Sequence, residues 1–324
     1  MRVTVSAGQF VGAFCFVSSV LLAGGASGAG RGPAAVTTVP IARTVEASTA
    51  ALDVRTLRPG LHLVQGAGGN VVMWSGTDGT VLVDTGLATR APELFATVAR
   101  VAPGPLRFVI DTHGHPDHTG GNAMAAERGA VVIGHEHLRD TEEAATPATT
   151  QPAAGAAVAA DGRPILTLTD ALALHLNGDR ADVLHVANAH TNADLVVRWS
   201  TADVVALGDL YWSQQYPQID VESGGSLAGV VAAVEAAIAR STARTIIVPG
   251  HGAPTSRTEL AAYRDMLVAV GRRVREAVER GENLQQVLAA HPTAEFDARF
   301  GRPDAPASPE DFVRAVYTDL ARRR

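Results

Sequence analysis

The chain has 324 residues, of which 46% are hydrophobic and 19% are charged, so it can bury a sizeable core and is not a disordered chain. Its net charge of −6 argues against a surface that binds nucleic acid. All 27 basic residues are arginine, which excludes a lysine nucleophile, a lysine Schiff base and a lysine anchor for a substrate carboxylate.

Residues 1–29 are typical of a secretory signal peptide. Arg2 supplies a positive start, an apolar run extends from Phe10 to Ala23, and small residues follow as far as Ala29. Because the run is short and rich in Gly and Ser, a retained membrane anchor is the less favoured alternative. We therefore expect an exported protein, periplasmic or secreted, without stable membrane association. Removal of Cys15, the only cysteine, would exclude disulfides and thiolate chemistry.

Residues 30–55 lack a firm period and are interpreted as a linker or N-terminal arm. Short apolar runs separated by Gly-rich turns then predict a strand meander, a helix and a buried strand. These elements are Leu61–Gln65, Asn70–Trp74, Thr80–Asp84, the helix Ala91–Val101 and the strand Leu106–Asp111.

The remainder of the chain predicts six further strands and four helices. The strands are Val131–Ile133, Ala171–Leu176, Ala181–Val186, Leu195–Trp199, Val204–Leu207 and Thr245–Val248, and the helices are Leu227–Ala239, Glu259–Arg280, Asn283–Ala290 and Pro309–Ala321. Ala144–Ala160 is expected to be an exposed loop. Strand meanders with helices on the outer sides predict an α/β fold, an αββα sandwich of two mixed β-sheets, in one domain spanning 56–324 with a helical C-terminal end.

Metal-ligand side chains are concentrated after the strand Leu106–Asp111. His113, His115, Asp117 and His118 lie within six positions. Three imidazoles and a carboxylate would be costly to bury without a partner, and a divalent cation removes that cost. Histidine nitrogens and carboxylate oxygens suit zinc, and iron or manganese also fit. A solvated turn with chance histidines is the alternative.

Three more ligand-type residues follow later apolar strands. They are His190, Asp209 and His251, the last of which stands between Gly250 and Gly252. Each alone is compatible with an ordinary solvated loop. Together with the earlier cluster they are numerous enough for two metal ions, and the glycines leave room for a sharp turn beside a metal.

The order of these motifs resembles that of the metallo-β-lactamase superfamily, the αββα metallohydrolases that include glyoxalase II and many lactonases. The resemblance covers about Thr56 to Pro254. Its five motifs are Val83-Asp84-Thr85-Gly86, the cluster His113–His118, His190, Asp209 and His251.

The resemblance implies two metal ions with separate ligand sets. The first set would be His113, His115 and His190, the second Asp117, His118 and His251, with Asp209 bridging both ions and Asp84 orienting a ligand histidine from outside. Two cations would lower the pKa of a shared water, and the resulting hydroxide would attack a carbonyl carbon. Asp117 would orient that hydroxide and shuttle its proton. Esters, lactones, thioesters and amides fit this chemistry, and a phosphodiester remains possible.

Departures from related enzymes leave two alternatives open. Some true β-lactamases of the superfamily have Cys in place of Asp209 and a nearby Lys, so hydrolysis of a β-lactam ring is the less favoured interpretation. The second alternative is an iron-dependent redox member or a non-catalytic binding protein of the same fold. The full set of ligand-type residues disfavours the redox member and the non-catalytic protein alike. We expect a small-molecule substrate and no nucleic acid, and the sequence leaves the oligomeric state open.

Residues around the ligands are less informative. Tyr211, Trp212 and Tyr216 follow Asp209 and are interpreted either as walls of a substrate pocket or as ordinary core packing. Ser223–Ser226 is either a flexible rim or, more favourably, a helix N-cap. The remaining histidines are not expected to bind metal: His135 and His137 are predicted to lie in a loop, and His62, His175, His185 and His291 are predicted to be structural.

Overall fold

The computed structural model describes residues 51–102, 104–145, 161–303 and 305–322. The strands within these ranges are β1 (Asp53–Arg58), β2 (Leu61–Gln65), β3 (Val71–Gly76), β4 (Gly79–Val83), β5 (Leu106–Ile110), β6 (Val131–His135), β7 (Leu166–Leu168), β8 (Ala171–Leu176), β9 (Asp179–Val186), β10 (Asp194–Trp199), β11 (Val204–Ala206) and β12 (Ile246–Val248). The helices are α1 (Ala91–Val101), α2 (Pro116–Thr119), α3 (Asn122–Glu127), α4 (Glu136–Ala145), α5 (Leu227–Ala239), α6 (Arg257–Glu279), α7 (Leu284–Ala289), α8 (Asp297–Phe300) and α9 (Pro309–Arg322).

The strands form two mixed sheets. The larger has the order β1-β2-β3-β4-β5-β6-β7, antiparallel up to β4 and parallel from β4 onward. The smaller has the order β12-β11-β10-β9-β8, with only β11 and β12 parallel.

Alternating apolar residues pack the two sheets face to face. In β9, Ala181 and Val183 are fully buried in the core between the sheets, as expected for a strand with one face toward the core. Trp74 of the larger sheet meets Trp199 of the smaller edge to face, with ring centroids 6.2 Å apart. Helices cover both outer faces, so the structure is the expected αββα sandwich.

The C-terminal helices pack on the smaller sheet. α6 buries Leu260, Tyr263, Leu267 and Val270 along one side, at the spacing that places residues on one helical face. α5 and α9 contribute to the same core, whereas α1 and α3 cover the larger sheet. Ser226 precedes the first residue of α5, and its hydroxyl accepts a hydrogen bond from Gly229 N, so the predicted N-cap is confirmed.

Most predicted elements are present, and the helices Ala91–Val101 and Leu227–Ala239 match residue for residue. β1, β7 and α4 were not predicted from the sequence, because β1 and α4 are rich in polar residues and β7 has only three residues. The predicted signal peptide, residues 30–50 of the arm, and 146–160 of the predicted loop lie outside the described residues. None of the described helices has the length and hydrophobicity needed to cross a membrane.

Candidate metal centre

The ligand-type residues gather where strands of both sheets end. The His113–His118 cluster follows β5, Asp209 follows β11 and His251 follows β12, while His190 lies four residues beyond β9. Strand ends at one edge of a sandwich can direct several side chains toward one point. Two groups form there: His113, His115, His190 and Asp209, and then Asp117, His118 and His251, with one ligand atom from each residue within 4.8 Å of the others in its group.

The first group is built from three histidines. His190 Nε2 lies 3.1 Å from His115 Nδ1. The ring of His113 meets those of His115 and His190 edge to face, with centroids 4.8 and 4.6 Å away. His113 and His190 are each 1% exposed, whereas the side chain of His115 is 26% exposed. The group is therefore enclosed on two sides and reaches solvent beside His115.

The second group combines two histidines with a carboxylate. His251 Nε2 lies 3.3 Å from Asp117 Oδ2 and 3.4 Å from His118 Nε2. His118 is fully buried, while Asp117 and His251 are 21% and 15% exposed. The second group thus also opens toward solvent on one side.

Asp209 stands between the two groups and presents one oxygen to each. Its Oδ2 lies 3.8 Å from His113 Nε2 and 3.7 Å from His190 Nε2. Its Oδ1 lies 3.2 Å from His118 Nε2 and 3.4 Å from His251 Nε2. This is the placement required of a carboxylate that bridges two cations.

Outer hydrogen bonds fix which nitrogen of each histidine faces the centre. His118 Nδ1 lies 2.7 Å from Asp84 Oδ2, and His190 Nδ1 lies 2.8 Å from the carbonyl of Gln218. His115 is reversed, because its Nε2 lies 3.1 Å from Asp220 Oδ2. The acceptors require N–H donors at these positions, so in the neutral rings the opposite nitrogens direct lone pairs inward.

In the neutral tautomers, these inward-facing lone pairs lie close to one another and no proton lies between them. His190 Nε2 and His115 Nδ1, only 3.1 Å apart, are both acceptors in the neutral tautomers that their outer partners impose. Moreover, His113 Nε2 and Asp209 Oδ1 are buried and have no hydrogen-bond partner. Buried polar atoms are normally satisfied, and one cation in each group would satisfy both of these atoms. The donor set therefore fits divalent metal ions.

In the metal-free chain the histidines differ in their pKa values. Burial lowers the pKa of His190 to about 4, and burial with the charge of His118 holds the pKa of His113 well below its usual range. Burial also disfavours charge on His251 and His118, but Asp209 outweighs it and raises the pKa of His251 to about 9 and that of His118 well above normal. A cation entering the second group would displace those protons.

Asp84 connects the ligands to the larger sheet. Its side chain accepts hydrogen bonds from Thr112 N and Thr112 Oγ1, at 2.7 and 2.9 Å, in addition to contacting His118. The residue is 2% exposed and has a φ of 65°, a left-handed conformation that is unusual outside glycine. The expected orienting contact between Asp84 and a ligand-type histidine is therefore present in the structure.

Two glycines make space for the ligands. A Cβ on Gly250 would lie 2.0 Å from Asp209 Oδ1, and a Cβ on Gly69 would lie 2.3 Å from the ring of His118. The sequence analysis anticipated room beside His251 but did not single out Gly69. It also missed Asp220, because nothing near that residue in the sequence indicates a contact with His115 105 positions away.

The aromatic residues after Asp209, for which pocket walls and core packing were both predicted as alternatives, are buried. Tyr211 and Tyr216 are 2% and 0% exposed and belong to the core beneath the C-terminal helices. Trp212 is also buried, with its ring centroid 4.3 Å from that of His251. The two tyrosines are therefore core residues, in line with the alternative interpretation. The buried ring of Trp212 packs against the ring of His251.

His135 and His137 do not lie in a loop as predicted. His135 ends β6, is 2% exposed and stacks on His185 with centroids 3.7 Å apart, while His137 lies in α4. The strand extends two residues beyond its apolar core, and the helix begins at once, which the sequence analysis did not anticipate. His135 Nε2 lies 3.1 Å from Thr169 O, and His185 Nε2 lies 3.1 Å from Asn192 O. The role of His185 is accordingly structural.

A family model for the metallo-β-lactamase superfamily matches residues 65–251, more than half of the chain. The chain belongs to this superfamily. No curated protein matches it in sequence. Among solved structures, a stereoselective inverting sec-alkylsulfatase from Pseudomonas sp. is 19% identical with a TM-score of 0.62, and 82% of this chain is covered. This chain spans only 50% of the sulfatase.

Smaller members of the superfamily also match the fold. A metallo-β-lactamase from Pontibacter korlensis is 19% identical with a TM-score of 0.55, and one from Hirschia baltica is 18% identical with a TM-score of 0.54. Each covers 67% of this chain, and 99% and 98% of the respective lactamases are covered. At this identity the comparison shows a shared fold.

Proposed function

We propose that this protein is a metal-dependent hydrolase that binds two divalent ions and cleaves a small carbonyl compound. Zinc is the proposed metal. Esters, lactones, thioesters and amides are the substrate classes. The observation that carries the proposal is the position of Asp209, whose two oxygens face two separate groups of ligand-type residues. Membership of a superfamily with hydrolase members supports the same reaction class.

The proposed ligands are the residues whose side-chain atoms face the centre. His113, His115 and His190 would hold the first ion and Asp117, His118 and His251 the second, with Asp209 shared. When bound, two such ions lower the pKa of a shared water and polarise a carbonyl oxygen.

Asp117 is the proposed acid–base residue. Its carboxylate is 21% exposed, against 3% for Asp209, so it can exchange a proton with solvent while remaining at the site. The nearby His251 keeps the pKa of Asp117 low, despite the opposing effect of burial, so the group is available as an ionised acceptor. Asp117 would orient the attacking water and pass its proton to the leaving group.

Three alternative functions would give different experimental results. A β-lactam ring also presents a carbonyl carbon, but Asp209 and the lack of lysine distinguish this chain from some dedicated lactamases. An iron-dependent redox enzyme would need dominant iron and oxygen consumption. A non-catalytic member would bind metal without turnover.

An activity panel on the zinc-loaded protein tests the reaction class. It contains an ester, a lactone, a thioester, an amide, a chromogenic β-lactam and a secondary alkyl sulfate, the last because of the structural similarity to the sulfatase. The proposal predicts turnover of at least one non-lactam carbonyl substrate, abolished in Asp117→Asn. Full zinc loading without carbonyl turnover would contradict it.

We also propose that the protein is exported. The support is the sequence of residues 1–29, which combines Arg2, an apolar run and small residues. Expression of the full chain in a bacterial host should place processed protein in the periplasm or medium, with a new N-terminus near Gly30. Unprocessed protein in the cytosol would contradict this proposal.

A further inference from the structure

The segment from Tyr216 to Gly225, called here the 216–225 segment, lies against the three-histidine group. Asp220 N donates to His190 O at 2.9 Å, and Gly225 N donates to Asp220 O at 2.8 Å, so the backbone folds around His190. The segment also supplies the outer partners of two ligand-type histidines. Gln218 O accepts from His190, and Asp220 Oδ2 accepts from His115.

The same segment is fastened to the C-terminal helices. The hydroxyl of Tyr216 donates to Asp297 Oδ1 at 2.7 Å, at the start of α8. Tyr216 N donates to Phe300 O at 3.2 Å, and the Tyr216 ring stacks on Phe312 of α9 with centroids 5.3 Å apart. Tyr216 is fully buried, and burial with the neighbouring Asp297 raises its pKa, so the hydroxyl remains a donor.

Asp220 has a geometry suited to orienting His115. It is itself held by Ser223 N, which donates to Asp220 Oδ1 at 3.0 Å. His115 is the most exposed histidine of the two groups, so core packing restrains its ring least. The contact at Nε2 selects one tautomer and leaves Nδ1 directed into the three-histidine group.

The two groups are supported mainly from different elements. On the side of the larger sheet, Asp84 contacts His118 of the second group and binds Thr112, whose hydroxyl lies 3.0 Å from His113 Nδ1 in the first group. The other two histidines of the first group, His115 and His190, are held from the 216–225 segment and, through Tyr216, from helices that follow His251. The family match ends at residue 251, so these helices lie outside it.

We propose that the C-terminal helices hold the three-histidine group in ligand geometry through the 216–225 segment. Asp220 and the hydrogen bond between Tyr216 and Asp297 are the positioning elements. The inference rests on the proposed function only in that the first group binds a metal ion. The proposal gives a role to the helices that follow the part of the chain matched by the superfamily model. These helices would support the binding of one of the two metal ions selectively.

The first experiment measures zinc affinity by competition with a chelator in Asp220→Asn. Loss of an outer partner weakens metal binding by roughly 10–100-fold. We expect that change for one of the two ions, with the affinity for the other unaltered. Equal weakening of both ions would indicate general damage and overturn the proposal, as would no change in either affinity.

Double variants identify which ion is affected. Asp220→Asn combined with His251→Ala should weaken both sites, because the two changes act on different groups. Asp220→Asn combined with His115→Ala should bind no more weakly than His115→Ala alone, because both changes act on one group. The reverse pattern would assign Asp220 to the second group and contradict the proposal.

Tyr216→Phe and Asp297→Ala test the connection to the helices. Each removes one hydrogen bond, worth roughly a two- to tenfold change, and should weaken the same ion as Asp220→Asn. Tyr317→Phe is the matched control, because its hydroxyl donates to Glu282 O at 3.2 Å rather than to a group of the 216–225 segment. If the two test variants leave the affinities for both ions at the Tyr317→Phe level, the connection to the helices is wrong.

The readout separates this inference from the proposed function. Zinc affinity requires no substrate, so a chain that binds two ions without carbonyl turnover would contradict the function and leave the positioning role intact. A catalytically active chain in which Asp220→Asn binds zinc normally would contradict the positioning role alone. Thermal unfolding of each zinc-free variant identifies any that fail to fold, and Asp297→Ala provides a second test if Tyr216→Phe is unstable.

Discussion

Asp209 Oδ1 and His118 Nε2 lie 3.2 Å apart in a buried position. The other ring nitrogen of His118, Nδ1, lies 2.7 Å from Asp84 Oδ2, and the two carboxylates raise the pKa of His118 well above its usual value despite burial. A positive charge between Nε2 and Oδ1 makes this contact favourable; in the metal-free chain it is the proton of His118, and a bound cation would displace that proton. The proposed two-ion site therefore depends on Asp209.

Replacement of Asp209 by Ala should therefore affect both ions. We expect the affinity of each site for zinc to fall by more than the roughly 10–100-fold typical of an outer partner, with loss of activity. His118→Ala should weaken only the second ion. Metal analysis after dialysis measures both effects, and an Asp209→Ala protein that retains two tightly bound ions would contradict the bridging role.

Asp84→Asn should weaken the second ion more than the first, because Asp84 contacts His118 directly and reaches His113 only through Thr112. The carboxylate accepts from His118 and from Thr112, and an amide can reproduce only part of that arrangement. A reduction in affinity of roughly 10–100-fold is expected for the second ion. Chelator competition measures it, and weakening confined to the ion that Asp220→Asn affects would contradict the assignment.

Gly250→Ala should disrupt the centre through steric conflict. The added methyl would lie 2.0 Å from Asp209 Oδ1, so either the strand end or the carboxylate must move. Gly129→Ala is a suitable control, because its Cβ would have no neighbour within 4 Å, although its φ of 85° adds backbone strain. We predict loss of zinc from Gly250→Ala and normal zinc content in Gly129→Ala. Normal zinc content in Gly250→Ala would show that the site tolerates the displacement.

The stability of the metal-free chain should depend on pH through His251. Asp209 raises its folded pKa from 6.5 to about 9 despite burial, so protonation favours the folded state below about 6.5, and that stabilisation is lost as pH rises to about 9. The contribution is up to about 3 kcal/mol. Thermal unfolding of chelator-treated protein across this range should show the decline, and His251→Gln should reduce it. A rise in stability with pH would contradict the assignment.

Zinc removal should lower the unfolding temperature at neutral pH. An ion present at about 100 times its dissociation constant contributes roughly 2.7 kcal/mol, provided that it does not bind the unfolded chain. A shift of roughly 5–10 °C follows for a domain of this size. Differential scanning calorimetry with and without chelator measures it, and identical unfolding temperatures would contradict tight binding to the folded state.

The sequence predicted those features that depend on local pattern. The strands of both sheets are visible as short apolar runs between Gly-rich turns, and the ligand-type residues are visible because they follow those runs. Asp220 and Gly69 were not predicted, because their importance arises from contacts with His115 and His118 that only the folded chain creates. For Tyr216 the sequence left pocket wall and core packing open for the same reason: its partner Asp297 lies 81 positions away.

The most direct test of the central claim is the position of bound zinc relative to Asp209. Crystals of the zinc-loaded protein, measured at the zinc absorption edge, should show two anomalous peaks on either side of this carboxylate. Each should lie about 2.0–2.2 Å from one of its oxygens, as expected for zinc–carboxylate coordination. A single peak, or two peaks of which either lies beyond the reach of Asp209, would contradict the account.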